Sequence, residues 1–518
     1  MSNQNKYHFV FFCFAIVLLS WSFHYFEIFN YAPHATHSWR QTDSTSFAQN
    51  YYEDGLNFFS PRIHHLERGE GFVCPSEFPI LYYLTASIWS IFSPHDGVLR
   101  LLNFLILVMG LFSISKVTLK LTNDVFYALA IPLLLMGSPI IAFYGFNFLP
   151  NGPAFGLALM GVSFFFYFYK TKHQKWLLGS GLLFLLGGLL KVTILVPFIA
   201  LFIIFLLEKI NLIRFKSEKI FPQKWWVLPF FIGIFLIIGC WMMWVKNYNL
   251  KHDSSVFITQ AKPIWNLSAH KIKSIWEWIL RDGAPQYYHF TTRYLIFVST
   301  VILLFFLRKK QSKFMYLFNL LIVLGTLGIF LLLYQQFFIH DYYVIDNMIL
   351  PTVIFISSFY ILKKHFPKIG NHILTKTLIG VFIIFNLWIA RLSIEERSNN
   401  AFSHIFNPNY QITYSKKMEA QAFLKELGIT RDKKVLTVPD VSPNFNLNYF
   451  NLKGWSEFAM PERPFPPNTT KEFIKLGAEY LIITDEKYLN HKHFKPFTKY
   501  PLGNFENAIF VFDLRTFE

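Results

Sequence analysis

Long apolar runs separated by short polar segments cover most of the chain. A helix needs roughly 20 apolar residues to cross about 30 Å of hydrocarbon. Eleven runs approach that length: 8–27, 98–118, 124–143, 152–169, 176–190, 192–208, 226–245, 293–307, 314–336, 342–362 and 372–392. The pattern predicts an all-α polytopic membrane protein with about eleven transmembrane helices. The run 176–208 is too long for one crossing and is interrupted at Lys191, so we expect a hairpin of two short helices there.

Residues 78–94 form a further apolar segment, bounded by Pro79 and Pro94. The helix between these prolines has about 14 residues, or roughly 21 Å, which is short for a crossing. We therefore predict a juxtamembrane helix on the outer face. An ordinary short span, with a twelfth crossing elsewhere, stays open as the alternative.

Composition supports the membrane class. Hydrophobic residues make up 53% and charged residues 15% of the 518 positions, whereas soluble domains carry about 25% charged residues. This excludes a soluble globular enzyme, a disordered chain and a fibrous repeat. The three cysteines show neither metal spacing nor a disulfide framework.

We attribute the net charge of +17 to the membrane topology of the chain rather than to binding of nucleic acid. The lysines and arginines gather in short loops, at 170–175, 209–224, 308–313 and 363–368. Such loops tend to be cytoplasmic. Eleven spans then place the N-terminus inside and the C-terminus outside, and the first span is expected to be uncleaved.

The chain divides into two predicted domains. Residues 1–392 form a transmembrane domain that includes an outer loop, 28–97, and residues 393–518 form a small extracytoplasmic α/β domain. In this tail we predict helices at 416–427 and 470–476, strands at 434–438, 479–484 and 508–513, and a turn-rich stretch, PERPFPPN. No phosphate-binding glycine motif occurs in the tail, so it receives no catalytic role.

The first outer loop carries the richest chemistry. Asp43 lies in WRQTDSTSFAQNYYEDG, which reads as an amphipathic helix, and Glu77 precedes the juxtamembrane helix. A carboxylate within hydrogen-bonding reach can take a proton from a hydroxyl. Both acids are candidates to face one interfacial cavity. A helix-capping or surface acid is the alternative for Asp43.

Several cations are candidate ligands of a phosphate. A guanidinium binds phosphate bidentately, which suits Arg40 and Arg62, although snorkelling or pairing with Glu53, Asp54 or Glu67 explains them equally well. Arg100 is a weaker candidate because it also suits an anchor at the start of the second span.

A second polar group is predicted on the same side of the membrane. Its members are Asn151 in LPNGP, Lys191 in the hairpin break, and His340, Asp341 and Tyr343 in HDYYVIDNMILP. Lys191 could also simply snorkel. A single His-Asp pair is a weak metal signal, and no closed ligand set is visible. The metal content therefore stays unknown.

These pieces together resemble the lipid-dependent glycosyltransferases of the GT-C superfamily, especially bacterial relatives of the protein O-mannosyltransferases and of the lipid A aminoarabinose transferase. The matching segments run in family order from about residue 37 to residue 351: HSWRQTDSTSFAQNYYEDG, FFSPRI, SEFPILYYLTASIWSIF, VLRLLNFL, YGFNFLPNGPAFGLAL, LLKVT and HDYYVIDNMILP.

The resemblance implies that Asp43 is the general base. The family often has an acid where LPNGP has Asn151, so a second acidic role is expected to pass to Glu77, which would orient the acceptor or bind a cation. Some relatives have a lysine that contacts the donor phosphate where this chain has EFP, so that contact is absent here.

The leading hypothesis is an inverting glycosyltransferase of the plasma (inner) membrane. It would move a sugar from a polyprenyl phosphate to an acceptor hydroxyl of a glycolipid, glycan or protein on the extracytoplasmic face. Nucleic acid is not an expected partner, and no cofactor is predicted beyond an open choice of divalent cation. The alternatives are a transporter or flippase of a lipid-linked sugar, and a non-catalytic protein whose tail binds a partner.

Overall fold

The computed structural model describes residues 3–34, 36–67, 75–215, 219–222, 224–252, 257, 261–338, 340–399, 410–440, 442–458 and 469–517. Over these residues the α-helices, in chain order, are α1 Asn3–Ser22, α2 Tyr25–Ile28, α3 Ser38–Glu53, α4 Ile80–Trp89, α5 Gly97–Thr122, α6 Val125–Met136, α7 Pro139–Gly145, α8 Asn151–Thr171, α9 Gln174–Leu190, α10 Val196–Lys209, α11 Val227–Lys251, α12 Ala269–Trp278, α13 Ala284–Tyr287, α14 Phe290–Val301, α15 Lys313–Leu332, α16 Ile349–His365, α17 Pro367–Gly370, α18 Ile373–Asn399, α19 Tyr410–Glu426, α20 Phe445–Phe450 and α21 Thr469–Lys475. The strands are β1 Lys434–Asp440, β2 Lys453–Phe458, β3 Tyr480–Ile483, β4 Pro501–Phe505 and β5 Ile509–Asp513.

The chain forms two compact units. The helical unit consists of Met1–Ile28, Arg100–Trp244 and Thr259–Glu395. The sheet unit consists of Phe29–Leu99, Val245–Ile258 and Glu396–Glu518. The outer loop, which the sequence assigned to the transmembrane domain, is therefore grouped with the tail.

The predicted class, a polytopic all-α membrane protein with a small α/β domain, is confirmed. Within the described residues, eight helices are long and apolar enough to cross a membrane, and two bent pairs raise the number to ten. The eight are Gln4–Ser22, Gly97–Thr122, Asn151–Thr171, Val192–Lys209, Val227–Lys251, Lys313–Leu332, Asp341–His365 and Ile373–Ser398. The bent pairs are Val125–Met136 with Pro139–Gly145, at 80°, and Ala269–Tyr287 with Phe290–Phe306, at 90°.

One of the eleven predicted spans, 176–190, is not among these ten and corresponds to the helix α9. It has 17 residues, about 26 Å at 1.5 Å per residue, which is slightly short of the hydrocarbon thickness. It ends at Leu190, and a short 3₁₀ helix, Val192–Leu195, leads into α10. The predicted division of this run into two helices at Lys191 is therefore confirmed. The helix α4 has only 10 residues, about 15 Å, which is too short to cross a bilayer.

Close backbone packing between α5 and α8 fixes the start of α8. A Cβ atom at Gly156 would collide with the backbone of Ile106 and Leu107, and one at Gly110 would collide with Gly156. Small residues that let two helices approach this closely are typical of membrane helix interfaces. The contact places Asn151, the first residue of α8, in the buried part of the helical unit.

A five-stranded sheet, in the order β2-β1-β3-β5-β4, organises the sheet unit. The strand β1 pairs in parallel with β2 and β3, whereas β5 is antiparallel to β3 and β4. Alternate residues of β1 enter opposite cores, with Leu436 in one and Val435 in the other. Helices therefore cover both faces of the sheet.

The three strands and two helices predicted in the tail are confirmed. Gly428 follows α19 with a positive φ of 74°, which suits a helix stop. The strands β2 and β4 were not predicted, since KGWSEF and PLGNF each contain a glycine that weakens the strand pattern. The stretch PERPFPPN lies outside the described residues.

The outer loop is attached to the edge of this sheet. Leu66 N donates to Gly454 O at 2.9 Å, and Gly454 N donates to His64 O at 3.2 Å. A side chain at Gly454 of β2 would collide with the backbone of Val435 of β1. Glycine is therefore required at this position of β2. The pairing explains why residues 29–99 and the tail form one compact unit.

Candidate functional site

The helix α3 places a run of polar side chains in a buried environment. Thr42, Asp43, Ser44, Thr45 and Ser46 are each at most 7% exposed. Ala48 and Tyr51 of the same helix are also buried, at 0% and 2% exposure. Buried polar groups need hydrogen-bond partners, so the whole helix depends on its neighbours in the sheet unit.

Two acids and one arginine meet between α3 and the start of α4. Arg40 Nη2 donates to Glu77 Oε1 in a close ion pair. Arg40 Nη1 lies 3.9 Å from Asp43 Oδ2. The same guanidinium lies over the ring of Phe257, 5.7 Å from its centroid. One arginine therefore serves both carboxyls, and its closer partner is Glu77.

The pKa values of the two acids are shifted in opposite directions. Burial raises the pKa of Asp43 to about 7; Arg40 and Asn444 lower it, while Glu77 and Asp440 raise it. Burial would likewise raise the pKa of Glu77, but Arg40 and the Tyr82 hydroxyl lower it to about 2. A pair of titratable groups with divergent pKa values is a pattern found in acid–base sites.

The side chain of Glu77 is held by the helix that follows it. The Tyr82 hydroxyl on α4 donates to Glu77 Oε1, and Ser76 Oγ donates to Oε2 at 2.8 Å. Tyr82 also lies 3.3 Å from Ser44 Oγ and stacks on Phe47 at 5.2 Å between ring centroids. The short helix α4 thus fixes Glu77 against α3.

Arg62 and Asp54 of the loop interact with other partners. Arg62 Nε donates to Ser60 Oγ at 3.2 Å. Pairing of Asp54 with Arg40 or Arg62 was one of the open alternatives, whereas in the structure Asp54 pairs with Lys453 at 2.9 Å and with Arg431 at 3.4 Å. Glu53 is exposed at the end of α3.

In the helical unit, several predicted polar residues surround one carboxyl that the sequence analysis had not selected. Asp346 is fully buried. Its Oδ2 accepts a close hydrogen bond from Thr193, and its Oδ1 accepts from Asn151 Nδ2 at 3.4 Å. The positive charge of Lys191 also acts on it, and Lys191 Nζ lies 3.8 Å from the ring centroid of Tyr343.

The other predicted residues of this unit have separate partners. His340 Nδ1 lies 3.0 Å from the Tyr342 hydroxyl, and Asp341 Oδ1 accepts from the Tyr144 hydroxyl at 2.7 Å. Arg100 is buried, donates to Ile28 O at 2.8 Å and lies over the ring of Phe148. This arrangement suits the anchoring role of Arg100.

Asp341 also borders a mainly apolar cavity of about 410 Å³ in the helical unit. Within the described residues, no group of three or more His, Cys, Asp or Glu side chains could hold a metal ion.

Replacing Thr193 by valine is expected to destabilise the helical unit by about 1–3 kcal/mol, because a buried carboxyl oxygen loses its hydrogen-bond donor. The measurement is the melting temperature of the purified protein in nanodiscs. Thr171 at the exposed end of α8 supplies the control, since T171V should melt like the wild type. Equal melting temperatures for T193V and T171V would contradict the role of Thr193.

Asp346, Tyr82 and Asn444 were not predicted from the sequence as members of these clusters. Asp346 had a usable signal, because an acid within an apolar segment is costly and is commonly functional. Tyr82 and Asn444 had none, since nothing local distinguishes them from other aromatic and amide residues. Their partners lie far away in the chain or on another helix.

Comparison with known proteins relates the whole chain to solved membrane proteins. No protein-family model matches the sequence, and no curated protein matches it. The structure is similar to ArnT from Cupriavidus metallidurans bound to undecaprenyl phosphate, with a TM-score of 0.59, 10% identity and 97% of each chain covered. The apo state of that protein gives a TM-score of 0.57 at the same identity and coverage.

A third similar structure is the arabinofuranosyltransferase AftD from Mycobacteria, with a TM-score of 0.52 and 10% identity. The match covers 96% of this chain and 40% of that one. At such low identities these likenesses show a shared fold.

Proposed function

We propose that this multi-pass membrane protein, which has the fold of the GT-C superfamily, is a glycosyltransferase. Its donor is a sugar on a polyprenyl phosphate, and its acceptor is a hydroxyl group on the extracytoplasmic face of the plasma membrane. The observation that carries the proposal is the buried Asp43, whose pKa of about 7 suits a general base at neutral pH.

In the proposed reaction the Asp43 carboxylate takes the proton of the acceptor hydroxyl. The acceptor oxygen forms a bond to the anomeric carbon on the face opposite the leaving group, which inverts that carbon. The bond between the anomeric carbon and the phosphate oxygen breaks, and its electron pair leaves with the polyprenyl phosphate. The proton on Asp43 then passes to water.

Arg40 and Glu77 prepare the base rather than accept the proton. Glu77 stays ionised at neutral pH because its pKa is held at about 2. It contacts Arg40 directly, whereas Asp43 lies 3.9 Å from that guanidinium. Asp43 is therefore less stabilised as an anion than a carboxylate in direct contact with a guanidinium would be. Donor binding stays a prediction for Arg40, Arg62, Arg100, Asn151, Lys191, His340, Asp341 and Tyr343.

The test is mass spectrometry of envelope glycolipids and glycans from a strain that lacks the gene. One sugar is expected to be missing, and the wild-type chain should restore it. A variant with Glu53→Gln should also restore it, because Glu53 is an exposed acid at the end of the same helix. An unchanged glycan and glycolipid profile in the deletion strain would contradict the proposal.

Transfer is expected to depend on pH through Asp43. The base must be ionised, so kcat/KM should reach a plateau above pH 7 and fall to about a tenth of it near pH 6. The measurement is release of undecaprenyl phosphate from its glycosylated form by the purified protein. A flat profile from about pH 5 to about pH 8 would contradict the assignment of the base.

A transporter of a lipid-linked sugar is the second candidate. The two bent helix pairs and the buried Asp346 favour it, because transporters use broken helices and buried charges near the membrane midplane. A transporter moves its cargo without cleaving it. Proteoliposomes with a glycosylated undecaprenyl phosphate separate the candidates: release of the free lipid phosphate supports transfer, and movement of the intact lipid supports transport.

A further inference from the structure

We infer that Asn444, which belongs to the C-terminal tail, is a positioning residue for the base Asp43. The tail thus contributes a residue to the base site, whereas no catalytic role was predicted for it from the sequence. This inference rests on the proposed function, and it concerns residues of the sheet unit alone.

Asn444 is fully buried at the start of α20 and contacts α3 around the base. Its Nδ2 lies 3.5 Å from Asp43 Oδ1 and 3.5 Å from Thr42 O. Asn444 is 401 residues away from Asp43 in the chain. An amide N–H that points at a carboxylate favours its ionised form.

The direction of the Asn444 amide is fixed by backbone donors. Its Oδ1 accepts from His64 N at 3.0 Å and from His65 N at 3.3 Å. These N–H groups can only donate, so the oxygen of the amide must face them and the nitrogen must face Asp43. The loop that carries His64 thus sets the orientation of the hydrogen bond to the base.

The segment that carries Asn444 is also held by hydrogen bonds to Asn446. Asp440 Oδ2 accepts from Asn446 N at 2.9 Å, and Lys417 Nζ on α19 donates to Asn446 Oδ1 at 2.7 Å. The Asn446 side chain also donates to Pro439 O at 2.8 Å. These bonds tie the end of β1 and the start of α20 to α19.

The tail therefore acts on Asp43 in two opposing ways. Asn444 donates to the carboxylate, whereas the negative charge of Asp440 opposes its ionisation. In the outer loop, the positive charge of Arg40 favours ionisation of Asp43, and the negative charge of Glu77 opposes it. Burial is the largest influence on Asp43, and together with these four groups it leaves the base between its two protonation states near neutral pH.

The test measures the ionisation of Asp43 directly, by infrared difference spectroscopy of the full-length protein in nanodiscs. The carbonyl band of protonated Asp43 is identified by its loss in D43N and is followed as the pH is raised. In N444A the carboxylate loses a donor, so the titration of Asp43 should move up by about one pH unit.

A second variant keeps the shape of the site if N444A folds poorly. N444D retains an oxygen for the His64 and His65 N–H groups but replaces the donor to Asp43 by an oxygen. Two adjacent carboxyls titrate as a pair, so this pair should lose its last proton at a higher pH than Asp43 does in the wild type.

Asn448 on α20 supplies the matched control. It bonds to Thr45 Oγ1 and to Gln49 of α3 at 3.2 Å and 2.7 Å, so N448A disturbs the same helix contact and should leave the titration of Asp43 unchanged. An unshifted titration in N444A and N444D, or an equal shift in N448A, would overturn the inference.

These outcomes are separable from the proposed function. If the Asn444 variants shift the titration while D43N retains full transfer, Asn444 controls the ionisation of Asp43 but Asp43 is not the base, and the proposed function is wrong. If D43N loses transfer while the Asn444 variants leave the titration unchanged, the proposed function stands and the inference is wrong.

Discussion

Replacing Asp43 by asparagine is expected to lower the rate of glycosyl transfer by about 10²–10⁴-fold, the usual contribution of a general base. Asparagine has the same shape but cannot accept a proton at neutral pH. The measurement is single-turnover release of undecaprenyl phosphate from its glycosylated form. Substrate binding should change little, because the charge that changes is a half-protonated carboxyl rather than a fixed anion.

The folded state of D43N should be as stable as that of the wild type. The pKa of Asp43 in the folded protein is about 7, above its ordinary value of 3.8, so ionisation of this acid opposes folding as pH rises from about 4 to 7. Asparagine removes that opposition, and the melting temperature at pH 8 should be equal or higher. E53Q is the control for loss of an acid from α3. Wild-type turnover in D43N would remove Asp43 from the mechanism.

Replacing Arg40 by glutamine is expected to destabilise the sheet unit by about 3–5 kcal/mol, because it leaves the buried Glu77 carboxylate without its cation. The side chains of Arg40 and Glu77 are only 12% and 13% exposed, so water replaces little of the lost interaction. The measurement is the melting temperature in nanodiscs, which should fall by roughly 6–20 °C for a unit of this size.

A double-mutant cycle separates the ion pair from general packing. R40Q with E77Q should recover much of the stability lost in R40Q, because no unpaired charge remains buried. The single variant E77Q should bring Asp43 into fuller contact with Arg40 and lower the pH at which transfer begins. Additive effects of R40Q and E77Q would contradict the pairing.

Local sequence was sufficient for the elements of the fold. The cost of leaving apolar side chains in water accumulates residue by residue, so the runs of apolar residues located the helices, and the break at Lys191 followed from one local interruption. Within the described residues, eight helices are long enough to span, or ten with the two bent pairs, against eleven expected, because α9 has 17 residues and two helix pairs bend sharply. Bends of this kind depend on packing partners that a hydropathy pattern does not contain.

The sequence also selected Asp43 and Glu77 as candidate acids, from their positions near the membrane surface and from the resemblance to GT-C enzymes. It left Arg40 equally free to bind phosphate or to pair with a neighbouring acid. Folding brings Arg40 to Glu77, 37 residues away. That choice was not available locally, since Glu53 and Asp54 are nearer in the chain.

The sequence by itself determined that the chain spans a membrane several times, ends in an α/β tail and carries acids in its first polar loop. Only the tertiary structure decided that Asn444 reaches Asp43 and that Asp346 is surrounded by Thr193 and Asn151. The physical reason is that the two kinds of interaction act over different separations along the chain. Hydrophobic transfer and helix formation act within a few turns of the chain, whereas the protonation of a buried acid depends on burial and on charges that distant segments supply.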